Sequence, residues 1–90
     1  IINAEAHIGA NCIINSKALV EHEAIIGDFC HISTGVIING QTKVGDRCFV
    51  GSNAVLINNI SISDEVIISA GSRVLMDLNE AGTYSDNKRL

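Results

Sequence analysis

The sequence predicts an all-β chain wound into a parallel helix of very short strands, and three observations predict it. Aliphatic residues recur every six positions without a break from Ile2 to Val74. Gly, Asn and Ser punctuate the same period. The apolar content is aliphatic and β-branched, with Ile 15, Val 7 and Leu 5 among 90 residues, 3% aromatics and neither Pro nor Trp. Such side chains suit pleated, half-buried strands.

The run comprises Ile2, Ile8, Ile14, Val20, Ile26, Ile32, Ile38, Val44, Val50, Leu56, Ile62, Ile68 and Val74. Chance would produce it about once in a million sequences of this composition. A helix cannot use the spacing, because six steps of 100° carry successive aliphatics 240° around the axis and leave no apolar face. Short strands can. Two residues before each aliphatic stands a small or apolar inward neighbour: Ala6, Cys12, Ala18, Ala24, Cys30, Val36, Thr42, Cys48 and Ala54. The residue after the aliphatic is often Gly, Asn or Ser (Gly9, Asn15, Gly27, Ser33, Asn39, Gly45, Gly51), types that tolerate the positive φ expected at tight corners. Three strands and three corners make an eighteen-residue coil, and IGANCI, IGDFCH and VGDRCF recur at that interval. Four to five coils stacked at roughly 4.8 Å are expected over residues 1–76, followed by a tail at 77–90.

With 47% apolar and 18% charged residues the chain is predicted to fold rather than to act as a disordered linker. Its net charge is −4 and its longest basic run is Lys88-Arg89, which argues against nucleic acid and anionic membranes as partners. No apolar segment approaches 18 residues and no signal peptide opens the chain, so membrane insertion is not expected and a cytoplasmic location is. The start at Ile1-Ile2, without Met and inside a repeat, is read as the interior of a longer protein.

If the aliphatics face inward, the residue before each faces outward in one of three columns. The first holds Ile13, His31, Phe49 and Ile67, the second Leu19, Ile37, Val55 and Arg73, and the third His7, Ile25, Lys43 and Ser61. Two faces are too apolar for water, which points to a homotrimer with the first face of each chain against the second of its neighbour. A segment preceding this chain is the other way to cover them. Cys12, Cys30 and Cys48 lie one coil apart, and are read as a buried column of thiols rather than a metal or redox site.

His7, His22 and His31 fall at different sides of the prism, so no metal site is expected within one chain. His22 stands at a corner in Glu21-His22-Glu23, where carboxylates would orient the ring and stabilise an imidazolium. His31 can approach it only from a neighbouring chain, across the interface just inferred. One coil above His22 comes Gly40, then Asn58. The missing side chain would open a groove in which a backbone N–H could hold a thioester carbonyl, or it could mark a plain tight turn.

The six-residue pattern resembles the left-handed parallel β-helix of hexapeptide-repeat acyltransferases, and the left hand is implied by that resemblance. Residues 13–35, IINSKALVEHEAIIGDFCHISTG, look more specifically like sugar acetyltransferases of the NeuD/PglD type, through Asn15, the Glu-His-Glu of 21–23, and Gly27-Asp28-Phe29 followed by His31. The resemblance implies acetyl-CoA as cosubstrate and, as acceptor, the amino group of a nucleotide-linked amino sugar or a sialic acid hydroxyl. It makes His22 the general base, Glu23 its carboxylate partner, and Asn15 and His31 substrate contacts from the neighbouring chain. It makes Gly40 a backbone donor to the coenzyme and implies a nucleotide-sugar-binding domain ahead of the β-helix. The tail departs from the Gly-x-Pro-Ala-Lys stretch of that type, reading Gly82 to Leu90 without proline, and leaves Lys88 and Arg89 as candidates for the coenzyme phosphates. The sequence is thus read as an N-acetyltransferase of nucleotide sugars, with sugar O-acetylation and a non-catalytic β-helical assembly module as the alternatives.

Overall fold

The computed structural model describes residues 1–90, which form fourteen strands and no helix. Twelve of the strands lie on three faces of a prism. One face stacks β1 (His7–Ile8), β4 (Ile25–Ile26), β7 (Lys43–Val44) and β10 (Ser61–Ile62). A second stacks β3 (Leu19–Val20), β6 (Ile37–Ile38), β9 (Val55–Leu56) and β12 (Arg73–Val74). The remaining face stacks β2 (Ile13–Ile14), β5 (His31–Ile32), β8 (Phe49–Val50) and β11 (Val66–Ile68), and is extended by β13 (Gly82–Ser85) and β14 (Lys88–Arg89). Pairing up each face is parallel and in register at eighteen residues, as in Ile14↔Ile32↔Val50↔Ile68. The three outward columns of the sequence are these three faces. The result is a parallel β-helix of about four turns, 33 × 22 × 20 Å.

The repeat dictates this winding because each hexad supplies one inward aliphatic. Val20, Ile26, Ile32, Ile38, Val50 and Leu56 are at most 2% exposed. Their small partners Ala18, Ala24, Cys30, Val36, Thr42, Cys48 and Ala54 are buried beside them. Polar atoms in this column are satisfied: Thr42 Oγ1 donates to the Ile57 carbonyl at 2.6 Å, and the Cys12, Cys30 and Cys48 thiols point at the carbonyls of Gly27, Gly45 and Ser63. The adjacent Cys48 thiol and burial together push the Cys30 thiol well above its ordinary range, and the same contact biases the first ionisation of the pair toward Cys48. Cys12, in the open first coil, is only half-buried, and partial burial raises its thiol.

The corners differ from the sequence expectation. Positive φ falls three residues after each aliphatic, at Glu5, Asn11, Lys17, Glu23, Phe29, Gln41, Arg47, Asn53, Asn59 and Glu65, with glycine there only at Gly35 and Gly71. The glycine directly after the aliphatic answers a lack of space instead. A Cβ on Gly27 would collide with Asp46 Oδ1 and come within 2.7 Å of the Gly45 carbonyl carbon, and Gly9 and Gly45 meet Asp28 and Asp64 in the same way. Each of these aspartates reaches down one coil: Asp28, Asp46 and Asp64 accept the N–H groups of Ala10, Asp28 and Asp46 at 2.8 Å.

The repeat shortens by two residues after Val74 and then resumes. Leu78 bridges to Ile62 and Tyr84 pairs with Ile68, sixteen residues on rather than eighteen, and both are buried. The boundary expected at residue 76 therefore falls inside the last coil, and the hairpin of β13 and β14 closes that end. No helix is long and apolar enough to cross a membrane.

Candidate active site

His22 occupies the corner between β3 and β4, where Val20 and Ile26 fix the chain on either side and turn residues 21–23 outward. Its ring is 65% exposed. Directly above stands Gly40: a Cβ there would lie 3.2 Å from the His22 carbonyl oxygen, 3.4 Å from Cε1 and 3.6 Å from Nδ1. Glycine at this position thus keeps the ring uncovered. The Gly40 N–H donates to no group of the chain, like those of His22 and Asn58 at the same corner, whereas the N–H groups of Ala10, Asp28 and Asp46 at the aspartate corner each donate to the aspartate one coil above. A groove of about 400 Å³ results, lined by Glu21, His22, Asn39, Gly40, Gln41 and Asn58, with no apolar side chain and no cation.

Two carboxylates flank the imidazole. Glu23 Oε1 lies 3.9 Å from Nε2 and accepts a hydrogen bond from Gln41 Nε2 at 3.2 Å. Glu21 Oε1 accepts from Asn3 Nδ2 at 2.7 Å. Asn39 and Gln41 were not among the sequence candidates, and Glu21 entered there only as a carboxylate flanking His22. Their signal is the eighteen-residue interval: Asn3, Glu21 and Asn39 form one stack, and Glu5, Glu23 and Gln41 the next.

His31 lies on the opposite side. Register on the β2–β5–β8 face puts Asn15 Nδ2 3.2 Å from His31 Nε2, and Phe49 one coil above meets the His31 ring edge-on at 5.0 Å between centroids. The fold joins Asn15 to His31, and His22 to Glu23 and Gly40, but does not bring the two groups together within one chain. Lys88 and Arg89 sit on β14 at the closed end of the His31 face, far around the prism from His22. Both are exposed, and Arg89 lies over Gly82 with Nη1 4.0 Å from Glu80 Oε2. No three His, Cys, Asp or Glu side chains converge to hold a metal ion.

A parallel β-helix whose eighteen-residue coils are each built from three six-residue repeats is the architecture of the hexapeptide-repeat class. The chain belongs to the family described as the hexapeptide repeat of succinyl-transferase, which matches residues 1–39 and 41–75. It is similar to a mutant perosamine N-acetyltransferase from Caulobacter crescentus solved with CoA and GDP-perosamine, at 31% identity and a TM-score of 0.93 over 99% of this chain and 42% of that one. The acetyltransferase domain of PglB from Neisseria gonorrhoeae, solved with acetyl coenzyme A, shares the fold at 23% identity and a TM-score of 0.83, covering 99% and 53%. Serine acetyltransferase isoform 3 from Entamoeba histolytica, solved with cysteine, shares it at 20% identity and a TM-score of 0.87, covering 99% and 35%. The present chain thus spans less than half of the perosamine enzyme. No curated protein matches it.

Proposed function

We propose that this chain is the β-helical part of a cytoplasmic, homotrimeric sugar acetyltransferase of the NeuD/PglD type, which uses acetyl-CoA to acetylate the amino group of a nucleotide-linked amino sugar. The observation that carries the reading is His22 lying uncovered beneath Gly40, whose N–H is free, in a wholly polar groove. Similarity to the perosamine enzyme supports the acceptor class. The carboxylates of Glu21 and Glu23 beside the base favour a neutral amine, whose nitrogen gains positive charge as it attacks, over a hydroxyl. A nucleotide-sugar-binding domain ahead of the β-helix completes the enzyme.

Acetyl-CoA supplies the acyl group as a thioester. Glu23 near Nε2 favours a proton on that nitrogen and leaves Nδ1, on the Gly40 side, as the acceptor. His22 takes the proton released by the acceptor nitrogen as that nitrogen attacks the thioester carbon, and returns it to the departing CoA sulfur. The Gly40 N–H donates to the carbonyl oxygen as negative charge develops there. Asn15 and His31 contact the substrate from the neighbouring chain, and Lys88 and Arg89 meet coenzyme phosphates. The three thiols take no part: Cys30 and Cys48 are 2% exposed in the core, and none of the three lines the groove.

In the intact enzyme, with acetyl-CoA and GDP-perosamine, His22→Ala is expected to lower kcat by about a hundredfold or more and to leave coenzyme binding nearly unchanged. An unchanged kcat removes His22 from the mechanism. Absence of any turnover by the wild-type enzyme with nucleotide-linked amino sugars favours the assembly-module alternative.

A further inference from the structure

Eleven residues other than glycine have positive φ, and ten of them are polar. The exception is Phe29, at φ 59°. A bulky apolar residue is an outlier in this region, where Asn, Asp and Gly are the tolerated types. Nor does burial compensate the strain, because Phe29 is 58% exposed at the corner between β4 and β5. Its neighbours along that corner, Asn11 one coil below and Arg47 one coil above, are ordinary polar residues, and Arg47 pairs with Glu65. Strain held in an exposed aromatic side chain points to a use for the ring.

The use follows from where the corner lies in a threefold assembly. When the β2–β5–β8 face of one chain packs on the β3–β6–β9 face of the next, the corner shared by those faces turns to the axis. The outer rim of each interface then joins two other corners: the His22 corner of one chain and the Phe29 corner of its neighbour. Rotation about an axis parallel to the coil leaves heights unchanged, and seven residues of an eighteen-residue coil amount to about 2 Å of rise. Phe29 therefore stands level with the neighbouring chain's His22. The Gly40 N–H, which receives the thioester, lies one coil higher.

We propose that Phe29 is an acceptor-binding residue supplied across the interface, its ring packing against the apolar C–H face of the sugar that His22 deprotonates. The proposal rests on the acetyltransferase reading and on the trimer. It assigns the ring to the acceptor sugar and not to the coenzyme.

The test compares Phe29→Asn and Phe29→Tyr with wild type in the intact enzyme, using GDP-perosamine and acetyl-CoA. Asn is at ease at this φ, so Phe29→Asn should melt no lower than wild type. It should raise KM for GDP-perosamine about tenfold, the loss expected when roughly 50 Å² of apolar contact disappears, with KM for acetyl-CoA unchanged. Phe29→Tyr should restore the wild-type value. An unchanged KM for GDP-perosamine, or a rise confined to acetyl-CoA, overturns the role of Phe29 and leaves the acetyltransferase reading intact. A wild-type enzyme that acetylates no GDP-perosamine overturns the assignment of Phe29 to this acceptor class as well as the preferred function.

Discussion

Gly27 and Phe29 stand two residues apart at one corner and show that a turn places separate demands on its residues. At position 27 the demand is space, since the next coil closes directly over the backbone. At position 29 the demand is a positive φ, which most corners of this chain meet with Asn, Gln, Glu, Lys or Arg. Gly27→Ala should consequently destabilise the protein by about 1 to 3 kcal/mol through overpacking against Asp46 and Gly45, measured as a lowered urea midpoint at unchanged m. The glycine column was legible in the sequence but its cause was not, because close approach between coils is a property of stacking and φ preference one of the single residue. His22 shows the same limit. Its Glu-His-Glu context and the glycine one coil above are visible in the sequence, whereas the free Gly40 N–H emerges only when the aspartate-capped corner is seen beside it.

At the scale of the element, the six-residue period specified the faces, the register and the inward column through Val74, since each strand up to there is only two or three residues long and carries one required aliphatic. It did not specify the end. After Val74 the spacing slips, and Leu75 and Met76 are exposed before Leu78 and Tyr84 re-enter the core six residues apart. A run that loses two residues reads in sequence as a tail, although β13 pairs on β11 as any other coil would. Tyr84 fixes this closure: its ring is 6% exposed, its hydroxyl donates to the Glu80 carbonyl at 2.8 Å, and its own carbonyl accepts from Ser69. Tyr84→Ala should cost about 3 kcal/mol, and amide exchange should rise first in β11 and β13, where the covering side chain is lost.

Across the whole molecule, the two faces proposed to meet in a trimer differ in kind from the third. Ile13, Phe49 and Ile67 are 53%, 40% and 46% exposed on one, and Leu19, Ile37 and Val55 line the next, while His7, Lys43 and Ser61 break up the last around Ile25. The proposed threefold packing would cover both apolar faces and bring His31 of one chain toward His22 of another, which no arrangement within a single chain achieves. The active site is proposed to be shared between chains, and subunit mixing tests that sharing. His22→Ala and His31→Ala chains of the intact enzyme, each first shown to be folded, trimeric and nearly inactive, are exchanged, with differently tagged chains to verify mixed trimers. Release of the CoA thiol from acetyl-CoA in the presence of GDP-perosamine is then followed. A shared site predicts that activity returns in the mixed trimers, because some interfaces regain both wild-type histidines. Verified mixed trimers no more active than either parent would contradict it.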